Sequence, residues 1–191
     1  MVPLIETSRL ILRQPQAVSG EFAHCLTDAP TIQDLFPRWE IVQFLSTKVP
    51  WPYPENGALE FLGDRMLPDL EKGKLWAWAI LLKAGPEHLI GLISLTGEGD
   101  ENRAFWLGLP WQGQGIMSEA CDAVTEFWFN GIGRDVLRVS KAVPNLASRR
   151  ISEKQGAKLV VTEERDFVSG RWLAHIWELS REDWNRNRRG G

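Results

Sequence analysis

The segment Leu107-Gly-Leu-Pro-Trp-Gln-Gly-Gln-Gly-Ile-Met-Ser-Glu-Ala120 constrains this chain more than any other. It reads as the end of an apolar strand, a short glycine-containing loop and the start of an amphipathic helix. The first N–H groups of a helix have no internal partner, and the aligned peptide dipoles put partial positive charge at that end. No Ser, Thr, Asp or Asn stands between Trp111 and Ile116 to cap the helix. Gly113 and Gly115 allow the backbone to approach a ligand closely. The segment therefore suits an anion, as phosphate-binding helix starts do. The same glycines also suit a plain tight turn, and the loop alone does not separate the two readings. It is not a Walker A loop, and it lacks the third glycine of a dinucleotide fingerprint.

The 191 residues suffice for one domain with its own core. A net charge of -3 exerts no overall pull on nucleic acid or anionic membrane. The start Met1-Val-Pro-Leu-Ile-Glu6 does not read as a signal peptide, and no apolar run reaches spanning length. A cytoplasmic monomer or homodimer is expected, without nucleic-acid or membrane partners. Cys25 and Cys121 form no metal or redox spacing, and His24, His88 and His175 are scattered singly, so no metal site is expected. The ten tryptophans fill a core or line a cleft.

Periodicity and punctuation predict a first strand over 9–13, helical structure over 17–47 broken near Pro30 and Pro37, and a helix over 55–72. Between these, Val49-Pro-Trp-Pro-Tyr-Pro54 is forced into a stiff extended segment that presents Trp51 and Tyr53. Strands are expected over 75–82, 89–95, 104–107, 136–140, 158–164 and 172–179, with helices over 115–130 and 145–155. Gly131 and Gly133 end the first of these helices; Asn145 caps the second and Gly156 follows it. The order argues for one α/β (α+β) domain, with a mostly antiparallel seven-stranded sheet, about four helices and a parallel crossover around the 115–130 helix. Residues 185–191, with Arg186, Arg188 and Arg189, read as a flexible polar tail.

Four segments in this order resemble the GNAT acetyltransferase superfamily, in its RimJ/RimL-like branch of ribosomal-protein N-terminal acetyltransferases. They are Glu6-Thr-Ser-Arg-Leu-Ile-Leu-Arg13, the 106–120 loop and helix start, Pro144-Asn-Leu-Ala-Ser-Arg-Arg-Ile-Ser-Glu-Lys-Gln-Gly-Ala157, and Arg181-Glu-Asp-Trp184. The resemblance covers residues 1–184 and implies a sheet splayed between the fourth and fifth strands. It implies that acetyl-coenzyme A is the cosubstrate, with its pyrophosphate on the backbone of Gln112, Gly113, Gln114, Gly115, Ile116 and Met117. Met117 departs from the small residue usual at that place. Leu107, Gly108 and Leu109 would lie along the pantetheine arm. Many relatives carry a tyrosine seven residues after Asn145, as acid for the leaving thiolate; here that residue is Ser152. Besides capping its helix, Asn145 would by this resemblance touch the pantetheine or thioester, and the branch has a serine three residues after it, here Ser148, whose hydroxyl would meet the sulfur.

The implied reaction is direct acetyl transfer to a primary amine, at a protein N-terminus or on a small molecule. An α-amine with pKa ~8 is neutral roughly one time in ten at pH 7, so it needs only a weak base or a water chain. Glu98, Asp100 and Glu101 precede the fourth strand as candidate bases or as a solvated loop; Glu101 is the nominal choice. Trp39, Trp51 and Tyr53 would line the acceptor site or pack as a lid. A polyamine- or aminoglycoside-modifying acetyltransferase and a non-catalytic acyl-coenzyme A-binding protein are the competing readings.

Overall fold

The computed structural model describes residues 2–16 and 28–189. A turn at Thr7-Ser8, closed by Thr7 N–H donating to the Leu10 carbonyl at 3.0 Å, splits the expected first strand into β1 (Ile5–Glu6) and β2 (Leu10–Arg13). The helical reading of 17–47 resolves into α1 (Ala29–Leu35) and α2 (Trp39–Val42). Residues 17–27, with His24 and Cys25, lie outside the described residues. Pro30 occupies the first turn of α1, where its missing N–H has no partner to lose. The 55–72 helix runs from α3 (Gly57–Glu60) through a π-helical stretch, Phe61–Met66, into α4 (Leu67–Glu71).

β3 (Leu75–Leu82), β4 (Gly91–Thr96) and β5 (Arg103–Leu107) form a meander that completes a five-stranded antiparallel sheet in the order β1-β2-β3-β4-β5. β3 is apolar on both faces because both are covered. Trp78 and Ile80 join the core under α5, while Ala77, Ala79 and Leu81 pack with α1 and α3. After β5 come α5 (Ile116–Glu126) with a π turn at Phe127–Gly131, β6 (Val136–Ala142), α6 (Leu146–Lys154), the hairpin β7 (Lys158–Phe167) and β8 (Gly170–Ser180), and α7 (Arg181–Arg189). β6, β8 and β7 make a separate three-stranded antiparallel sheet.

The expected single sheet of seven strands is therefore eight strands in two sheets, and the described residues hold seven α-helices rather than about four. Prolines and π stretches cut the longer helices into pieces. The sheets divide because β5 and β6 touch at one end only. Asn102 N–H donates to the Arg138 carbonyl and Arg138 N–H to Asn102 Oδ1, each at 2.8 Å. Asn102 Nδ2 also donates to the carbonyls of Thr96 and Gly99, so one buried side chain stitches the turn before β5 to β6. Asn102→Ala should lower stability by about 2 kcal/mol, read from the urea midpoint. An unmoved midpoint would mean that the two sheets do not depend on this stitch.

The tail reading is also corrected. Residues 185–189 continue α7, because Trp184 is buried beside Phe129 and donates its indole N–H to Glu126 Oε2 at 3.0 Å. Arg188 pairs with the same Glu126, and Ser180 Oγ accepts the Asp183 N–H at the helix start. No helix among the described residues is long and apolar enough to cross a membrane, and no acidic, His or Cys cluster there would hold a metal.

Candidate active site

Gly113 (φ +74°) and Gly115 (φ +76°) are both left-handed, the region where a Cβ is disfavoured. A Cβ on Gly113 would meet nothing within 4 Å, and one on Gly115 only the Arg9 guanidinium at 3.6 Å. The loop is therefore open above both residues. No side chain caps α5, and among the described residues the N–H groups of Gly113 to Ser118 find no acceptor. A row of free donors at a helix start fits a diphosphate. Ile116 and Met117 bury their side chains in the core and offer only backbone to the loop, which explains how a residue as large as Met117 is accommodated.

Side chains hold the loop from outside. Gln112 Nε2 donates to the Leu107 carbonyl at 2.9 Å, Gln114 Nε2 to Pro110 at 2.8 Å, and Arg9 Nη1 to the Gln114 carbonyl at 3.0 Å. Arg9 also pairs with Glu119 in the first turn of α5 at 2.6 Å. The Glu119 carboxylate further accepts from Thr7 Oγ1, Ser8 Oγ and Arg9 N–H. Arg9 and Glu119 escaped the sequence reading as site residues. Their pairing spans 110 positions and leaves no local signal.

The splay begins where the loop ends. Gly108 N–H donates to the Ile90 carbonyl at 2.8 Å. Bonded and non-bonded positions alternate along antiparallel strands, so Arg103, Phe105 and Leu107 turn their backbone groups away from β4 and toward β6. From β6, Val143 N–H donates to Leu173, which by the same alternation turns Ser140 and Ala142 toward β5. Gln112 holds the Leu107 carbonyl, Glu101 the Ser140 N–H and the Asn145 N–H the Ala142 carbonyl; the other backbone groups facing the gap find no partner among the described residues, which suits an extended, amide-bearing arm. Gly108 and Leu109, expected beside that arm, are engaged otherwise. The Gly108 N–H bonds to β4, and Leu109–Trp111 is a 3-10 turn whose Trp111 ring packs over Gly108.

Asn145 caps α6, its Oδ1 accepting the Ser148 N–H at 3.2 Å. The cap places buried Ser148 in the first turn, just past the end of β6. Ser152, at the position where the family resemblance would put a tyrosine, is buried deeper in α6, and its Oγ has no partner among the described residues. Glu101 sits at the closed end of the splay. Its Oε2 accepts the Ser140 N–H at 3.2 Å and its Oε1 pairs with Arg165 of β7. Both oxygens are thus engaged in tying β6 and β7 to β5.

Trp39 and Trp51 stack at 5.5 Å and are both exposed, about two-fifths of each surface reaching solvent. Tyr53 packs edge-on against Phe36, which packs on Trp106 of β5. Burial, with Glu60 adding, pushes the Tyr53 hydroxyl up to about 12, so it stays neutral. This aromatic row runs on the face of the sheet opposite α5. The β7–β8 hairpin tip meets it through Phe44 against Trp172, and Val168 N–H donates to Leu45. Phe44 and Trp172 were not expected here; their contact depends on how the hairpin folds back.

The acetyltransferase (GNAT) domain model matches residues 9–158. No curated protein matches the chain. Several solved structures share the fold. The ribosomal-protein-S5-alanine acetyltransferase of Vibrio fischeri is 15% identical, with a TM-score of 0.75 over 95% of this chain and 98% of its own. RimL, a ribosomal L7/L12 α-N-protein acetyltransferase seen with coenzyme A, is 16% identical, with a TM-score of 0.70 over 94% of this chain and 97% of its own. The microcin C7 self-immunity acetyltransferase MccE, seen with acetyl-coenzyme A and AMP, is 14% identical, with a TM-score of 0.68 over 91% and 93%. The family uses acetyl-coenzyme A as acyl donor, and a free donor row opening onto an unpaired splay fits that cosubstrate. With a family match over most of its length and a site shaped for the family's donor, the chain belongs to the GNAT acetyltransferases and is an acyltransferase.

Proposed function

We propose that the protein moves the acetyl group of acetyl-coenzyme A to the α-amine of a peptide N-terminus, in the manner of the RimJ/RimL-like branch. The observation that carries this reading is the row of free N–H donors at Gly113 to Ser118, continuous with the unpaired edges of β5 and β6. The diphosphate binds the row and the pantetheine arm lies between the strands. The thioester then reaches the Asn145 turn, where the Ser148 hydroxyl hydrogen-bonds the sulfur as charge builds on it. A backbone N–H of β5 polarises the carbonyl oxygen. The amine enters from the aromatic side, past Trp39, Trp51 and Tyr53.

The preference for an α-amine rests on charge. No base is assigned, since both Glu101 oxygens are engaged, and an α-amine is neutral roughly one time in ten at pH 7 without help. A polycation would call for a dense cluster of carboxylates at the acceptor mouth, where residues 39–60 carry only Glu40, Glu55 and Glu60 beside the aromatic side chains. A cytoplasmic setting accords with the donor.

The test follows thiol release from acetyl-coenzyme A with peptide N-termini, polyamines and aminoglycosides as acceptors. Peptides with small apolar first residues should turn over fastest. Tight coenzyme A binding without thiol release from any amine would leave an acyl-coenzyme A-binding protein instead. Ser148→Ala should lower kcat about tenfold and leave the KM for acetyl-coenzyme A within about twofold. Equal turnover would remove its assigned role.

A further inference from the structure

Lys141 lies near the end of β6 and is only 8% exposed, yet it makes no hydrogen bond or ion pair with any described residue. Its Nζ stands 4.7 Å over the Phe105 ring, so the side chain reaches from β6 across to β5. Phe105 shares the α5 face of β5 with Arg103 and Leu107, the face on which the donor row opens. The amine therefore lies beneath the gap between β5 and β6 on the α5 side, with Arg103, Glu101 and Cys121 as its charged and titratable neighbours. A buried ammonium with no carboxylate in hydrogen-bond contact is unfavourable, and an apolar residue there would be more stable. Such a group beside an open strand edge does not serve stability and is a candidate for chemistry.

We propose, on the acetyl-transfer reading above, that the Lys141 ammonium faces the sulfur of coenzyme A and protonates it as it leaves. The amine nitrogen attacks the carbonyl carbon and forms the C–N bond. The tetrahedral adduct collapses, the C–S bond breaks, and its electron pair goes to sulfur. One Nζ proton passes to that sulfur. The new amide nitrogen releases a proton to water, and Lys141 regains one from water, so proton count and charge balance. Lys141 does what a tyrosine at the Ser152 position would have done, while Ser148 orients the sulfur. Burial, with Arg103 adding and Glu101 and Cys121 opposing, pulls the Lys141 pKa down to about 8. That is close to the ordinary range of a thiol, the match an acid for a leaving thiolate needs.

The charged and titratable groups around the amine are Arg103 and Glu101 from the β5 side, Cys121 from α5, His175 opposite it on β8, and Arg149 of α6, which donates to the Val143 carbonyl. Burial pushes the Cys121 thiol up, away from this range. Calorimetry with coenzyme A on the wild-type protein comes first. Absence of binding there refutes the acetyl-transfer reading, and the role of Lys141 with it. With binding present, Lys141→Met should bind coenzyme A within about threefold of wild type. The ultraviolet absorbance of the bound thiolate should then titrate at higher pH than in wild type. Its kcat should fall about 100-fold. Wild-type kcat should decline as pH rises past about 8. That limb should vanish in Lys141→Met and persist in His175→Gln. Lys141→Arg should restore the thiolate shift but not the rate, since guanidinium does not release its proton. A Lys141→Met protein with wild-type affinity, thiolate titration and kcat would overturn the proposal.

Discussion

Glutamate in place of Gly115 is expected to abolish coenzyme A binding, weakening it by at least about a thousandfold. Three effects act together. Gly115 sits at φ +76°, where a residue with a Cβ carries about 1–3 kcal/mol of strain. The new side chain would rise into the space above the loop that a diphosphate would occupy. Its carboxylate would be drawn toward Arg9, which lies 3.6 Å from the Cβ position, and would hold negative charge over the donor row. Gly115→Ala separates these effects. It carries strain without charge and should lose only about tenfold. Calorimetry with coenzyme A, alongside circular dichroism to confirm the fold, reads both variants. Affinity of the glutamate variant within tenfold of wild type would remove the loop as the diphosphate site.

Loss of the Glu119 carboxylate is expected to cost about 3 kcal/mol of stability at pH 7. Burial pushes this carboxyl up, but hydrogen bonds from Thr7, Arg9 and Ser8 outweigh it and hold its pKa at about 2. The unfolded chain therefore binds more protons than the folded one between that value and the ordinary 4.5. The stability conferred by Glu119 is complete above pH 4.5 and is lost as pH falls toward 2. Glu119→Ala should thus trail wild type at pH 7, and the gap should narrow steadily below pH 4.5. Urea unfolding at pH 7 and pH 3 measures it, and an equal gap at both would rule out the carboxylate as its source. Arg9, freed from its partner, would hold the Gln114 carbonyl less firmly, so coenzyme A affinity should fall several-fold as well.

The parts of the site legible in the sequence depend on neighbours along the chain. Two glycines before an uncapped helix announce the donor row, because capping and left-handed backbone are properties of a few adjacent residues. Asn145 is equally local: its side chain reaches the N–H three residues on. The β7–β8 hairpin followed from a short apolar pattern and its turn. What escaped lies in pairs far apart. Arg9 meets Glu119 across 110 positions and Asn102 meets Arg138 across 36. The position of Lys141 over Phe105 exists only once β6 has come alongside β5. The closing helix was misread for the same reason. Its charged composition reads as a tail until Trp184 finds the pocket beside Phe129 and the Glu126 carboxylate.

Periodicity, caps and glycines by themselves determined most of the order of elements and an uncapped, glycine-flanked helix start of the kind that suits an anion, since short-range sterics and hydrogen bonding act within a few residues; the family was legible only through the resemblance of four segments in order. Tertiary structure alone decided that the splay becomes a full division into two sheets, which backbone groups the division leaves unpaired, that Glu101 ties strands together, and that Lys141 comes to lie over Phe105. Those outcomes follow from strands meeting at one end and diverging, a balance of packing and hydrogen bonds between segments distant in the chain.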